Sequence, residues 1–279
     1  MIAAIRGKAD NPSMGTPRFH VERLTGPTLR LSGPEAVHAV RSRRLAAGEE
    51  VVLFDGAGHE AAGQITAVGR SELEVTLGAF FSRPRPTPAL TLAVALPKGP
   101  RQDVLIEKCT ELGTAAIVPL ISARSISSAS EHKLDRWRRT TIEAAKQSGQ
   151  AWLPEFFPPE PLAEALRRIA SHDLAVVAAT EQRSVPFSSA LSQHGTSVVS
   201  ILAFVGPEGG WTPEELDALT AHGCQPISLG PNILRIETAA IALAAIVHVA
   251  QGAAEHKTEN NPEASETPAP RTGETPVPH

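Results

Sequence analysis

The residues best placed to do chemistry lie in two glycine-bearing loops, Gly206–Gly210 in "FVGPEGGWTPEEL" and Leu229-Gly230 in "LGPNILRIETAA". Each follows an apolar run and leads into a helix start, and glycine there lets the backbone come close to a ligand. A phosphate cradle of the Walker type needs a Lys and a Ser/Thr, and the dinucleotide fingerprint needs G-x-G-x-x-G; "GPEGGW" satisfies neither. Glu208 sits in mid-turn instead, where it would repel a pyrophosphate. A ligand with an adenine, a ribose and a cationic centre suits the loop better, because backbone groups can pair with the adenine edge and a carboxylate costs nothing beside a sulfonium. One such loop taken alone is more often a tight, well-capped turn; two at one end of a sheet shift the balance. Just beyond the second loop stand Arg235 and Glu237, a pair that is either a helix-start salt link or a functional couple.

The elements that must position these loops follow from periodicity. From Ala89 onward, apolar runs such as "LTLAVAL", "AAIVPLI", "DLAVVAAT" and "VVSILAFV" alternate with helical stretches, which predicts a parallel sheet with helices on both faces. Helices are predicted from about Arg101 to Leu112, ending at Gly113, from about Lys133 to Ser148, after Trp211, and over "RIETAAIALAAIVHVAQG". Thr212 as N-cap, Pro213 and Glu215 form a capping box for the third. In such sheets ligands bind outside the carboxyl ends of the strands, where both loops fall. Residues 18–82 read differently: short candidate strands ("FHVERL", "TLRL", "EVVLFD", "AAGQITAV", "ELEVTLGAFF") with one helical piece, "PEAVHAVRSRRL", make a small β-barrel pattern. The expected organisation is a loose extension over 1–17, the barrel-like domain over 18–82, a proline-rich linker over 83–88, the α/β domain over 89–254 and a disordered tail over 255–279.

Composition narrows the function. The chain has 279 residues, 42% hydrophobic and 20% charged, as in ordinary soluble globular proteins. Two cysteines, Cys109 and Cys224, cannot build a disulfide framework, no His/Cys cluster has zinc spacing, and no metal is expected. No segment reads as a signal peptide or a membrane span, so a cytoplasmic protein with no membrane partner is expected. The net charge of −4 argues against a global field for nucleic acid. Residues 1–89 nevertheless hold eleven basic against nine acidic residues, so any RNA contact is a local patch. Arg41, Arg43 and Arg44 are the densest cluster there, although a short charge run is usually a solvated helix face.

The two loop motifs, taken with "ALPKGPRQDVLIEKCTELGTAAIVPLISARS", "RWRRTTIEAAKQSGQ" and "HAVRSRRLAAGEEVVLFDG", resemble the signature of the SPOUT methyltransferases. Within them the chain is most similar to the bacterial 16S ribosomal RNA uridine-N3 methyltransferase family, RsmE. The resemblance runs from about Phe19 to Gln251. It implies a SPOUT-type parallel sheet with a C-terminal trefoil knot, preceded by a small PUA-like β-barrel that helps bind RNA. It also implies S-adenosyl-L-methionine as cofactor, a homodimer, and 16S rRNA or the assembled small ribosomal subunit as partner. Carried over by position, Gly206, Pro207, Glu208, Gly209, Gly210, Leu229, Gly230, Ile233, Leu234, Arg235, Thr238 and Ala239 would line the methyl-donor pocket, with Ala179-Thr180-Glu181 as a secondary candidate. Methylation at uridine N3 requires loss of its proton and stabilisation of the resulting anion. Glu237 suits the first task and Arg235 the second, an assignment the sequence leaves open. Arg41, Arg44, Lys98 and Arg124 are the candidates for RNA contact. Trp137, His20 and His38 read as structural. Asn232 and Gln150 stand where the family usually carries Arg, departures that bear on RNA affinity or target more than on fold. Two other readings remain: a SPOUT enzyme acting on a ribose 2'-oxygen or another base, and a non-catalytic RNA-binding module.

Overall fold

The computed structural model describes residues 15–33, 36–37, 45–125, 131–180 and 184–259. Five strands, β1 (Arg18–His20), β2 (Thr28–Ser32), β3 (Glu50–Phe54), β4 (His59–Val68) and β5 (Glu72–Ser82), pair in the order β1-β3-β4-β5-β2. Alternation sorts their side chains: Leu73, Val75 and Leu77 of β5 join Phe19, Leu31, Val51, Leu53 and Ile65 in one buried cluster. Two register shifts between β4 and β5 bend the ladder. The expected barrel is thus a curled sheet: β1 and β2 are its edges and do not pair with each other among the described residues.

The second sheet is built from β6 (Ala89–Val94), β7 (Ala116–Ile121), β8 (Glu155–Phe156), β9 (Glu160–Pro161), β10 (Leu174–Ala178), β11 (Val185–Pro186), β12 (Ser200–Val205) and β13 (Gln225–Ser228). Its order is β11-β13-β10-β12-β6-β7-β8, with β9 also on β7, and the ladders are parallel. The helices are α1 (Pro100–Glu111), α2 (Glu131–Ser148), α3 (Leu162–Ala165), α4 (Phe187–His194), α5 (Pro213–Ala221) and α6 (Ile236–Glu259). Leu90, Leu92 and Val94 face a core shared with α1, α2, α4 and α6. Ala93, Leu202 and Phe204 face the other, shared with α3 and α5. Both faces are covered, which is why these strands read as unbroken apolar runs. Gly113, at φ 72°, ends α1 as its sequence implies. Trp137 is fully buried in this core.

Two expectations need correction. α6 runs to Glu259, so residues 255–259 are helical rather than part of a disordered tail; Glu and Lys in that stretch propagate a helix easily. Residues 260–279 and 1–14 lie outside the described residues. In addition, Ile236–Ala253 is long and apolar enough to cross a membrane by length and composition. Its residues Ala240, Leu243, Ala244 and Val247 are buried at helical spacing against the sheet, so the apolarity is that of a core helix.

The two sheets are joined by direct contacts. Gly58 N–H donates to the Ala151 carbonyl (3.0 Å) and Leu153 N–H to Gly56 (2.9 Å). Glu60, buried to 2% exposure, accepts from Arg18 (2.6 Å) and Arg83 (2.7 Å). Arg85, within the proline-rich linker, lies 5.2 Å from the Trp152 ring. Gln150 belongs to this joint: its amide donates to the Glu111 carbonyl ending α1, and its own carbonyl accepts from Arg18.

Candidate functional site

Inserting β12 between β10 and β6 sets the ends of β13, β10 and β12 side by side, and the loops after them enclose a cleft of about 1320 Å³. The loop after β12 is held from three sides. Trp211 Nε1–H donates to the Ala178 carbonyl at the end of β10 (3.1 Å), and Arg124 donates to the Gly209 carbonyl (2.6 Å). Glu215 completes the capping box with Thr212 and with its other oxygen accepts from Ala123 N–H (2.7 Å), tying α5 to the loop after β7.

The glycines serve this packing as well as any ligand. A β-carbon on Gly206 would stand 2.8 Å from the Trp211 indole, and one on Gly209 3.1 Å from Arg124 Cδ. Gly210 (φ 70°) and Gly230 (φ 125°) need the left-handed backbone that glycine adopts freely. Sequence reasoning ascribes the need for Gly209 to the ligand; the crowding partner is Arg124.

Gly206, Pro207, Glu208, Gly209, Gly210, Leu229, Gly230, Ile233, Leu234, Arg235 and Ala239 all line the cleft, with Ala179 and Thr180. Thr238 does not; it is exposed on α6. Glu181, Arg41 and Arg44 lie outside the described residues. Asn232 lines the cleft and is exposed. Arg235 is exposed on the cleft wall, whereas Glu237 is buried and is not among the residues lining it. Glu237 approaches Arg101 instead (4.0 Å), and its Oε2 is buried without a hydrogen-bond partner.

Arg101 is the residue that sequence reasoning missed. It lines the cleft and its guanidinium is 2.5 Å from Glu208. The available signal was local: a cation in the first turn of α1 opposes the helix dipole and calls for another reason to be there. Lys98, exposed, borders a smaller hollow beside the cleft. Cys109 and Cys224 are free and buried, and burial pushes both thiols up to about 12, which leaves them protonated and inert. Among the described residues no group of three or more His, Cys, Asp or Glu is placed to hold a metal ion.

The cleft fits a methyl donor with an adenosyl group. It offers apolar wall at Leu216, Ile227, Leu229 and Ala239, exposed backbone at the glycine turns, and at Glu208 a carboxylate that offsets the charge of Arg101. A model of the RNA methyltransferase domain matches residues 83–248, and one of the RNA methyltransferase PUA domain matches residues 31–78. The chain is 36% identical to the ribosomal RNA small subunit methyltransferase E of Synechocystis sp., covering 81% of this chain and 74% of that protein. It is 32% identical to that of Bacillus subtilis, over 79% and 90%.

The chain belongs to the ribosomal RNA small subunit methyltransferase E family.

As a member of that family it is a methyltransferase with a PUA-like N-terminal domain, so the non-catalytic reading falls away. Two solved structures share its fold. The methyltransferase E of Neisseria gonorrhoeae, bound to S-adenosyl methionine, is 29% identical with a TM-score of 0.75, covering 84% of this chain and 98% of that one. A Legionella pneumophila methyltransferase in complex with the same cofactor gives the same identity, score and coverage.

Proposed function

We propose that this methyltransferase E family member transfers the methyl group of S-adenosyl-L-methionine to N3 of a uridine in 16S ribosomal RNA of the small subunit. The observation that carries the reading is the glycine-walled cleft, with an apolar wall for an adenine and with Glu208, paired to Arg101, beside it. The cofactor, when bound, supplies an electrophilic methyl. Ile227, Leu229 and Ala239 offer the adenine an apolar wall, the turn at Gly206–Gly210 approaches through its backbone, and Glu208 faces positive charge.

The proposal extends to the trefoil knot, to action in the cytoplasm and to a homodimer. Val249 on α6 (72% exposed) and Ile233 on the cleft wall (85%) are apolar surface that a second copy would cover. Arg41, Arg44, Lys98 and Arg124 remain the proposed RNA contacts, with Arg124 also anchoring Gly209.

Small ribosomal subunits lacking the modification, incubated with labelled donor and then mapped by mass spectrometry, should acquire a single methyl on uridine N3. A methyl on a ribose oxygen or on another base would overturn the reading. In the same assay Arg41→Ala with Arg44→Ala should raise KM for the subunit and lower the logarithmic salt slope by about one unit per contact. Donor binding should stay as it was, and an unaltered slope would place both arginines on a merely solvated face.

A further inference from the structure

The Gly206–Gly210 loop has a second side. Lys98 and Ser125 border a smaller hollow there, whose wall at Arg101, Pro207, Glu208 and Ile236 also belongs to the large cleft. Methyl transfer needs the acceptor atom within about 3–3.5 Å of the methyl carbon. An acceptor subsite must therefore border the donor cleft, and this hollow shares four wall residues with it.

Its charges are those of a site for an anion. Lys98 and Arg101 both line it, and Arg101 sits at the N-terminus of α1, where the helix already presents partial positive charge. Gly99, the N-cap, provides no side-chain hydrogen bond to the first N–H groups of α1. The negative groups facing these cations are Glu208, 2.5 Å from Arg101, and Glu237, 4.0 Å away with one buried carboxylate oxygen unpartnered. A cation kept against the helix dipole beside a buried, unsatisfied acid is a local conflict of the kind that functional sites retain. The Arg101–Glu208 pair is exposed at both members, 36% and 43%, so it contributes little and can part for an incoming ring.

We propose that the target base stands in the large cleft at the mouth of this hollow, which at about 50 Å³ is too small for the ring, and that Lys98 and Arg101 bind the two carbonyl oxygens flanking N3 as the ring loses its proton. The inference rests on the uridine-N3 reading above. The N3 proton passes to the Glu208 carboxylate, released by Arg101, and then to water. The electron pair left on N3 forms the new N–CH3 bond, and the pair of the broken S–CH3 bond returns to sulfur, cancelling the sulfonium charge. Until then the ring's negative charge is spread over the two oxygens that face Lys98 and Arg101, in a setting where fixed cations count for most. Glu237 is a positioning residue that holds the guanidinium once Glu208 lets go.

The test compares wild type with Arg101→Gln and Lys98→Gln in the full chain, on small subunits lacking the methyl. Donor affinity by calorimetry should be no weaker, and subunit affinity by filter binding should be unchanged for Arg101→Gln and at most a few-fold weaker for Lys98→Gln. Single-turnover transfer should fall by about a hundredfold, as when one oxyanion donor is removed, and the rising limb of its pH profile should move to higher pH. Arg101→Lys should recover part of the rate. An unchanged rate and profile would overturn the proposal. Loss of donor binding would assign Arg101 to the cofactor, and loss of subunit binding would make Lys98 or Arg101 a phosphate contact; either result also overturns it. If wild type leaves uridine N3 unmethylated while donor still binds, the uridine reading has failed and takes the subsite with it.

Discussion

At Gly206 the chain has no room for a side chain, because the Trp211 indole would lie 2.8 Å from an added β-carbon and is itself pinned to Ala178. Gly206→Ala must therefore displace a rigid ring and the loop that carries it. Overpacking of this kind costs about 1–3 kcal/mol. The expected outcome is a lower Tm together with weaker donor binding by calorimetry, and normal values of both would mean the indole has slack. Gly209→Ala meets only the flexible Arg124 chain, at 3.1 Å, so its loss should be the smaller of the two.

At the scale of elements, Glu215 is more than a helix cap. One oxygen serves the Thr212 backbone and the other the Ala123 N–H, so the start of α5 is also the fastening of the loop after β7. Thr212→Ala should cost about 1 kcal/mol, the usual value of an N-cap. Glu215→Ala removes the reciprocal cap and the fastening together, and it should weaken donor binding more than Thr212→Ala does. Equal effects on binding would show that the link to Ala123 does not steady the cleft. The cap itself is readable from sequence because its partners are three residues apart. Its bond to Ala123 is not, since nothing local to "TPEEL" says which loop will lie above it.

Across the whole molecule the two sheets meet around Glu60, whose carboxylate is shared between Arg18 of β1 and Arg83 of the linker. Glu60→Gln leaves the guanidinium groups of part-buried Arg18 and half-exposed Arg83 facing an uncharged amide. Breaking a buried pair from one side costs about 3–5 kcal/mol. A Tm lowered by several degrees is expected, with the loss concentrated in the N-terminal sheet and its joint by hydrogen exchange. A Tm close to wild type would mean that water reaches the pair. Gln150 illustrates the same scale. Read by position it is a lost RNA-binding cation; in the structure it closes the end of α1 and accepts from Arg18 beneath the joint.

The sequence by itself determined the alternation of strands and helices, the helix caps, the two ligand loops and, through its resemblance, the family. These depend on near neighbours and on periodicity, which a chain carries along its length. Tertiary structure alone decided that β12 inserts between β10 and β6, which brings the loops into one cleft. It also decided that Arg101 meets Glu208, that Glu237 approaches Arg101 while Arg235 is exposed on the cleft wall, and that the expected barrel is a curled sheet whose edge strands do not pair among the described residues. Each of these is a pairing between residues far apart in the chain, set by how elements of fixed length and twist pack over shared cores.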